Sequence, residues 1–317
     1  MNVFSEDDFL NAFIKTYFPE QEVTIELFEL EGKVWRLPSS TSGEPINKLF
    51  ELVDFFEPLD TNSIGTQFSS KKVDYLPRVS QKIVSHSEWV KQDFNPNFYV
   101  APTILWSFFE SWKDFTNHVQ QRQPKLFSDS YRRQRKLERE LGPIQFTSND
   151  RRPEVLETFF HWKQEQLQRQ NLPDRFTNSE RISFFKELSD KGLLLTSSLS
   201  TEKHLLATCV GLLHRERFYF WNTAYNPTFS QYSPGRLLLH FLLEQSFKLQ
   251  QKEFNLLWGD QDYKLYYATH IRLIEDIGRR PFSRRLRHFL KGILNQSPSI
   301  QMAIREYYNK TTRLFYR

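Results

Sequence analysis

Between residues 144 and 269 the hydrophobic period changes in an order that few folds accommodate. Ile144–Thr147 reads as a short strand. Two stretches of helical spacing follow, over about 153–170 with Val155, Leu156, Phe159, Trp162 and Leu167 inward, and over about 178–190 with Ile182, Phe184, Phe185 and Leu188. Strand runs come next at Leu193–Leu199, His204–Leu213 and Arg217–Ala224. The breaks at Thr201-Glu202-Lys203 and Arg215-Glu216 make them successive hairpin strands. A helix over about 234–250 carries Leu237, Leu238, Leu242, Leu243 and Phe247. A strand at Phe254–Trp258 and a short helix near 262–269 end the series. That order predicts an α+β fold, a mixed sheet flanked by helices, in place of a repeated βαβ parallel sheet.

Outside this stretch the pattern is looser. Residues 5–18 have helical spacing, with Phe9, Leu10, Phe13, Ile14 and Tyr17 on one face. Val23–Leu30 and Lys33–Leu37 alternate on either side of Glu31-Gly32 and read as a hairpin. Residues 38–45 form a loop; beyond it short aromatic runs mix with Pro58, Pro77, Pro96 and Pro102 until helical spacing returns over Trp106–Val119. Charge follows a similar division. Residues 1–125 carry a net of −6, residues 126–278 a net of +2 and residues 279–317 a net of +9. The expected organisation is an N-terminal α+β domain (1–125), a central domain (126–278) and a basic C-terminal helical extension (279–317). In the extension Phe282, Leu286, Phe289, Leu290 and Ile293 recur at helical spacing among Arg284, Arg285, Arg287 and Lys291. A helix covering the core explains this, because arginine stems also pack on apolar surface. An anionic partner is the alternative, with nucleic acid the less favoured one.

Composition removes several chemistries. Ten glycines in 317 residues is well under the usual share of ~7%, and neither a GxGxxG nor a GxxxxGKS/T loop occurs. A lone Cys209 excludes an intramolecular disulfide and any CxxC site, and in its apolar run it reads as a buried thiol. The eight histidines include no HExxH; His161, His204 and His240 lie in apolar patterns and read as satisfied structural groups, so no metal is expected. There is no GxSxG elbow. No uncharged apolar run approaches the ~18 residues that span a bilayer, and no signal peptide is visible. The expectation is a cytoplasmic protein without a transmembrane segment.

The residues that suggest chemistry lie in the central domain. Ser233 suits an N-cap, Pro234 the first helical position, and Gly235 leaves room above the free N–H groups of a first turn. Those donors and the positive end of the helix make a seat for pyrophosphate, to which Arg236 adds charge; an ordinary capped helix is the plainer alternative. In Trp258-Gly259-Asp260-Gln261-Asp262-Tyr263-Lys264 a strand turns into a helix. There Asp260 can act as a general base and Tyr263 can protonate a leaving thiolate. Lys264 can hold phosphate or carboxylate. The alternative is that Asp260 or Asp262 caps the helix and Lys264 is solvated. The cluster Arg132, Arg133, Arg135, Lys136 and Arg139 sits on a helix over 129–141 and is not explained by intrahelical pairs such as Gln134–Glu138. It reads as capture of an anionic substrate or as a solvated interdomain helix. Trp221, Asn222, Thr223 and Tyr225 either line a pocket at a strand end or belong to the aromatic core.

Over about 126–278 the chain resembles the CelD-like acyltransferases of the GNAT superfamily, which carry a BioF2-like acetyltransferase domain. The resemblance runs through Leu137-Glu138-Arg139-Glu140-Leu141-Gly142-Pro143, Trp162-Lys163-Gln164-Glu165-Gln166 and the hairpin ending Trp221-Asn222-Thr223-Ala224-Tyr225. Its most specific parts are Tyr232-Ser233-Pro234-Gly235-Arg236 and the Trp258–Lys264 turn. It implies a GNAT-like fold, an acetyl-CoA or other acyl-CoA co-substrate, and acyl transfer to an amine or hydroxyl of a small-molecule or glycan acceptor. Ser233–Arg236 would occupy the position of the pyrophosphate loop. Such proteins are linked to exopolysaccharide or cellulose synthesis, and they resemble the FemAB peptidyltransferases, which pair two GNAT-like halves. By that analogy residues 1–125 would be a degenerate first half. The chain departs from the family pattern at Asn255, where an Asp is usual, and at Leu265-Tyr266-Tyr267, where a basic pair and a Trp are usual. The resemblance leaves two alternatives open: FemAB-like aminoacyl transfer from aminoacyl-tRNA, and a non-catalytic GNAT-fold subunit that binds a partner.

Overall fold

The computed structural model describes residues 2–60, 69–91, 99–259 and 261–279. The basic extension therefore lies outside the described residues from residue 280 onward. In chain order the chain forms α1 (Asp7–Tyr17), β1 (Thr24–Leu30), β2 (Lys33–Ser39), α2 (Leu49–Leu52), β3 (Lys71–Lys72), β4 (Tyr75–Ser85), α3 (His86–Lys91), β5 (Tyr99–Leu105) and α4 (Trp112–Arg122). There follow α5 (Leu126–Leu141), β6 (Gln145–Thr147), α6 (Pro153–Arg169), α7 (Ser179–Asp190), β7 (Leu194–Ser200), β8 (Leu205–His214) and β9 (Arg217–Tyr225). A 3-10 turn (Pro227–Tyr232) then leads to α8 (Pro234–Lys248), β10 (Glu253–Asn255), α9 (Asp262–Tyr267) and β11 (His270–Gly278). The α+β expectation and the element order from β6 to α9 are met.

Local chemistry explains many boundaries. Glu31 and Gly32 both take positive φ, 53° and 74°, as a two-residue hairpin turn between twisted strands requires. The helix expected over Trp106–Val119 is broken: Trp106–Phe108 is a 3-10 turn, and α4 starts anew where Ser111 and Asp114 cap each other's backbone N–H groups. The strand expected over Phe254–Trp258 is only Glu253–Asn255.

Eight strands form one sheet in the order β4-β11-β5-β10-β9-β8-β7-β6. All neighbours run antiparallel except β9 and β10. Residues before 125 thus supply β4 and β5 to the sheet that also holds β6–β11. The inner side chains of β8 alternate between two cores, Val210 and Leu212 facing one and Ala207 and Cys209 the other. The first core takes in α1, α6 and α7, where Phe9 and Phe13 meet Phe184 edge-on. The second takes in α4, α5 and α8.

A buried ionic cluster joins segments far apart in sequence, Glu57 with β9, β10 and β11. The Arg272 guanidinium of β11 donates to Glu253 of β10 at 2.9 and 3.2 Å and to Glu57 at 2.6 Å. Arg217 of β9 donates to Glu57 at 2.9 Å, and Thr103 of β5 and Asn255 each donate to Glu253 at 2.8 Å.

Candidate active site

Among the described residues, the one parallel pair in this sheet is also where it opens. β9 and β10 match over Arg217↔Glu253, Phe218↔Phe254 and Tyr219↔Asn255. Beyond that point β9 stays on β8 through Tyr225, while the chain after Asn255 turns away. The Asn255 carboxamide oxygen accepts from Leu257 N–H at 2.8 Å, and Leu257 takes φ 59°. The bonds Leu256 N–H to Pro102 C=O (2.9 Å) and Gly259 N–H to Val100 C=O (3.0 Å) hold the diverging segment against β5. A wedge forms between residues 220–225 and 256–259.

β9 is irregular at the same place. Its register against β8 slips between Val210 and Gly211, so that Trp221 is the extra residue of a bulge. Asn226 N–H donates to Leu206 C=O at 2.9 Å. Because residues alternate edges along a strand, Ala224 also faces β8, and Thr223 and Tyr225 turn their N–H and C=O groups to the wedge.

α8 begins directly above this edge. A Cβ on Gly235 would lie 3.6 Å from both Thr223 Cγ2 and Tyr225 Cδ1, an ordinary contact. Ser233 does not cap α8 as expected. It is left-handed (φ 54°, ψ 52°), unlike the extended backbone that aims a capping hydroxyl, and no side-chain cap bond forms. Its carbonyl instead accepts from the N–H groups of Arg236 (3.0 Å) and Leu237 (3.1 Å). Pro234 has no N–H, so among the described residues Gly235 N–H is the donor of this turn without an acceptor. The expected set of free donors shrinks to one.

Charge gathers beside it. Asp129 of α5 accepts from Arg132 (2.6 Å), Arg133 (2.9 Å) and Arg236 (2.5 Å), and Arg133 also donates to Gln231 C=O (2.6 Å). The three guanidinium groups hold the Asp129 carboxyl well below the usual carboxylate range. The expectation that intrahelical pairs do not explain the arginines is therefore corrected. α5 starts a turn earlier than expected, and Asp129 pairs at i+3 and i+4. Three cations around one carboxylate leave net positive charge next to the α8 N-terminus.

The remaining expected site residues divide. Tyr225 is 38% exposed beside Gly235. The Trp221 ring stacks on Phe185 at 4.7 Å, so it belongs to the aromatic core; Asn222 pairs with Val210. Tyr263 is 43% exposed, yet burial around its phenol pushes the pKa up to about 12. Lys264 is not solvated: it is buried, and its Nζ donates to Trp258 C=O at 2.7 Å, bracing the turn that opens the wedge. Asp260 lies outside the described residues. His240 is a satisfied structural group, its Nε2 2.6 Å from Tyr267 Oη and burial pushing it down to about 3. His161, by contrast, is mostly exposed beside Glu165. Cys209 is buried, which pushes its thiol up to about 12.

One residue at the wedge has no counterpart among the expected site residues. Lys163 of α6 donates to Thr223 C=O at 2.9 Å. Its signal was a lysine on the stripe Leu156, Phe159, Phe160, Lys163, Leu167, otherwise apolar. Among the described residues no cluster of His, Cys, Asp and Glu is arranged to hold a metal ion, and no helix is long and apolar enough to cross a membrane.

Residues 125–265 match the family model described as the acetyltransferase (GNAT) domain. Curated protein sequences offer no significant match. Among solved structures the chain is similar to FemX, with a TM-score of 0.53 and 9% identity over 88% of this chain and 92% of that one. It is also similar to the C-terminal domain of a putative lysylphosphatidylglycerol synthetase from Agrobacterium fabrum, with a TM-score of 0.46 and 9% identity over 92% and 95% of the two chains. The FemX likeness shows the fold.

Proposed function

We propose that the protein transfers an acyl group from acyl-CoA to an amine or hydroxyl, a reading supported by the match of residues 125–265 to the acetyltransferase (GNAT) domain model. The observation that carries this reading is the parting of β9 and β10 beneath the α8 N-terminus. A thioester laid in the wedge meets backbone N–H groups of Thr223 or Tyr225 at its carbonyl, which stabilise the oxyanion of the transition state. The donor's pyrophosphate rests on Gly235 N–H and the positive helix end, with Arg236, Arg133 and Arg132 as counter-charge. Tyr225 flanks this seat. Tyr263, protonated at neutral pH, gives its proton to the departing thiolate. Ser233 and Pro234 act through the backbone, by setting where the first turn begins. Lys264 acts by holding the turn, not by touching the donor.

A thermal-shift titration with acetyl-CoA and longer acyl-CoA esters tests the donor site. A specific ester at a hundredfold excess over its Kd should stabilise the wild type by roughly 3 kcal/mol. Gly235→Ala, whose Cβ has room, should keep the shift. Gly235→Trp should keep the unliganded Tm and lose the shift. If no ester raises Tm, the acyl-CoA reading fails.

A second reading, transfer from aminoacyl-tRNA, is favoured by the arginine cluster at the mouth of the site and by the basic residues 279–317. It requires tRNA binding that weakens steeply with salt as phosphate counterions are released. Absence of binding at low salt removes it.

A further inference from the structure

Lys163 stands where an apolar residue would serve α6 better. Leu156, Phe159 and Phe160 on the same stripe are buried against the sheet, and the lysine reaches past them to the open edge of β9. Its Nζ donates to Thr223 C=O at 2.9 Å and to Gln166 Oε1 at 3.0 Å. Both acceptors are neutral, and no carboxylate among the described residues pairs with it. A neutral amine has two N–H groups and a lone pair. Two acceptors satisfy both N–H groups and leave the lone pair free, whereas an ammonium would keep a third N–H without a partner among the described residues. Burial moves the pKa the same way, down to about 8. The titratable group that acts on it electrostatically is Cys209 of β8, which in turn acts on Tyr263 of α9; both are protonated at neutral pH.

We infer that Lys163 is the general base of the transfer, accepting the proton of the attacking amine or hydroxyl at the edge of β9 where the donor carbonyl is held. The inference rests on the transferase reading above. The acceptor's nitrogen or oxygen bonds to the carbonyl carbon, and its proton passes to the Nζ lone pair. The carbon–sulfur bond breaks with its electron pair on sulfur, which takes a proton from Tyr263. Proton exchange of Lys163 and Tyr263 with water restores both.

The test uses the full chain, acetyl-CoA and a mixture of primary amines, with thiol release as the readout. Wild-type kcat/KM, calculated on the neutral form of the acceptor amine, should rise with pH and level off above about pH 8, because only neutral Lys163 accepts a proton. Lys163→Arg keeps a cation and its donors but cannot deprotonate. It should lose roughly 10²–10³-fold in kcat while its thermal shift with acetyl-CoA stays that of the wild type. Lys163→Cys alkylated to the aminoethyl form, a less basic lysine mimic, should recover turnover with its inflection at lower pH. Lys163→Arg with full activity and an unmoved inflection would make the side chain only a prop for Thr223, and the base assignment would fall. Should the alkylated variant recover turnover with the wild-type inflection, the assignment also falls. Wild-type protein that binds no donor and releases no thiol overturns the transferase reading, and the base with it.

Discussion

Arg272→Ala should cost about 3–5 kcal/mol of stability, because it strands two carboxylates inside the sheet. Arg272 is 4% exposed and Glu253 2%. The guanidinium donates to Glu253, to Glu57 and to Ser80 Oγ at 3.1 Å, and lies 4.9 Å from the Phe55 ring centre. After the substitution Arg217, a third exposed, is the one cation left on the two acids among the described residues. Burial pushes Glu253 up, and Arg272 and Arg217 override it, so its carboxyl titrates below the ordinary range. A carboxyl with a depressed folded pKa lends stability above the unfolded value of ~4.3 and loses it as pH falls through the folded value. Wild-type protein should therefore weaken on acidification through that window. In Arg272→Ala burial prevails, Glu253 titrates above its unfolded value, and stability should rise as pH drops from 7 toward 5. Urea unfolding at the two pH values reads both the size and the sign. The double variant Arg272→Met with Glu253→Leu should lose less than Arg272→Ala, since no partner of the pair is then left charged and alone. A loss under 1 kcal/mol with no reversal of the pH slope would mean that water reaches the cluster.

The same arginine shows why part of the fold was illegible. β11 reads Ile271-Arg272-Leu273-Ile274, and all four are buried. A strand with a charge at a core position is recognisable only if Glu253 and Glu57, far away in sequence, are known to be there. Prolines hid β4 and β5. Pro77 is tolerated because β4 is an edge strand. Pro102 lies in an interior strand, but its C=O accepts from Leu256, so its missing N–H faces the irregular segment and not the regular ladder with β11. By contrast, β6 to α9 follow from local period and turn residues alone. The site divides along the same line. The Ser233–Arg236 turn and the Trp258–Lys264 turn are set by neighbours in sequence and were visible. The burial of Lys264, the convergence of three arginines on Asp129 and the reach of Lys163 to Thr223 depend on chain brought from elsewhere, and residue type alone does not announce them.

Gly211→Ala should disturb the fold and the site together. A Cβ at this position in β8 would overlap Phe218 Cζ and stand 2.9 Å from the Tyr219 carbonyl oxygen. Backbone cannot retreat there, because Gly211 pairs with Phe220 at the register slip that creates the Trp221 bulge. The ring must move instead. Phe218 is 5% exposed and stacks on Phe254 of β10 at 5.1 Å, so displacing it presses on the pairs that precede the parting of β9 and β10. Overpacking of this kind costs about 1–3 kcal/mol, and contact with backbone as well as ring places alanine toward the upper end. If the bulge fixes where Thr223 presents its N–H and C=O, the variant should also lose part of the acyl-CoA thermal shift. Phe218→Leu in the Gly211→Ala background vacates the volume the methyl needs. It should restore stability relative to the single variant, more fully than Phe218→Leu alone would predict from an additive sum, because the two positions share one space. A double-variant cycle by urea unfolding measures that coupling. Strict additivity would show that the strand yields to the methyl, and that the bulge does not depend on a bare backbone at residue 211.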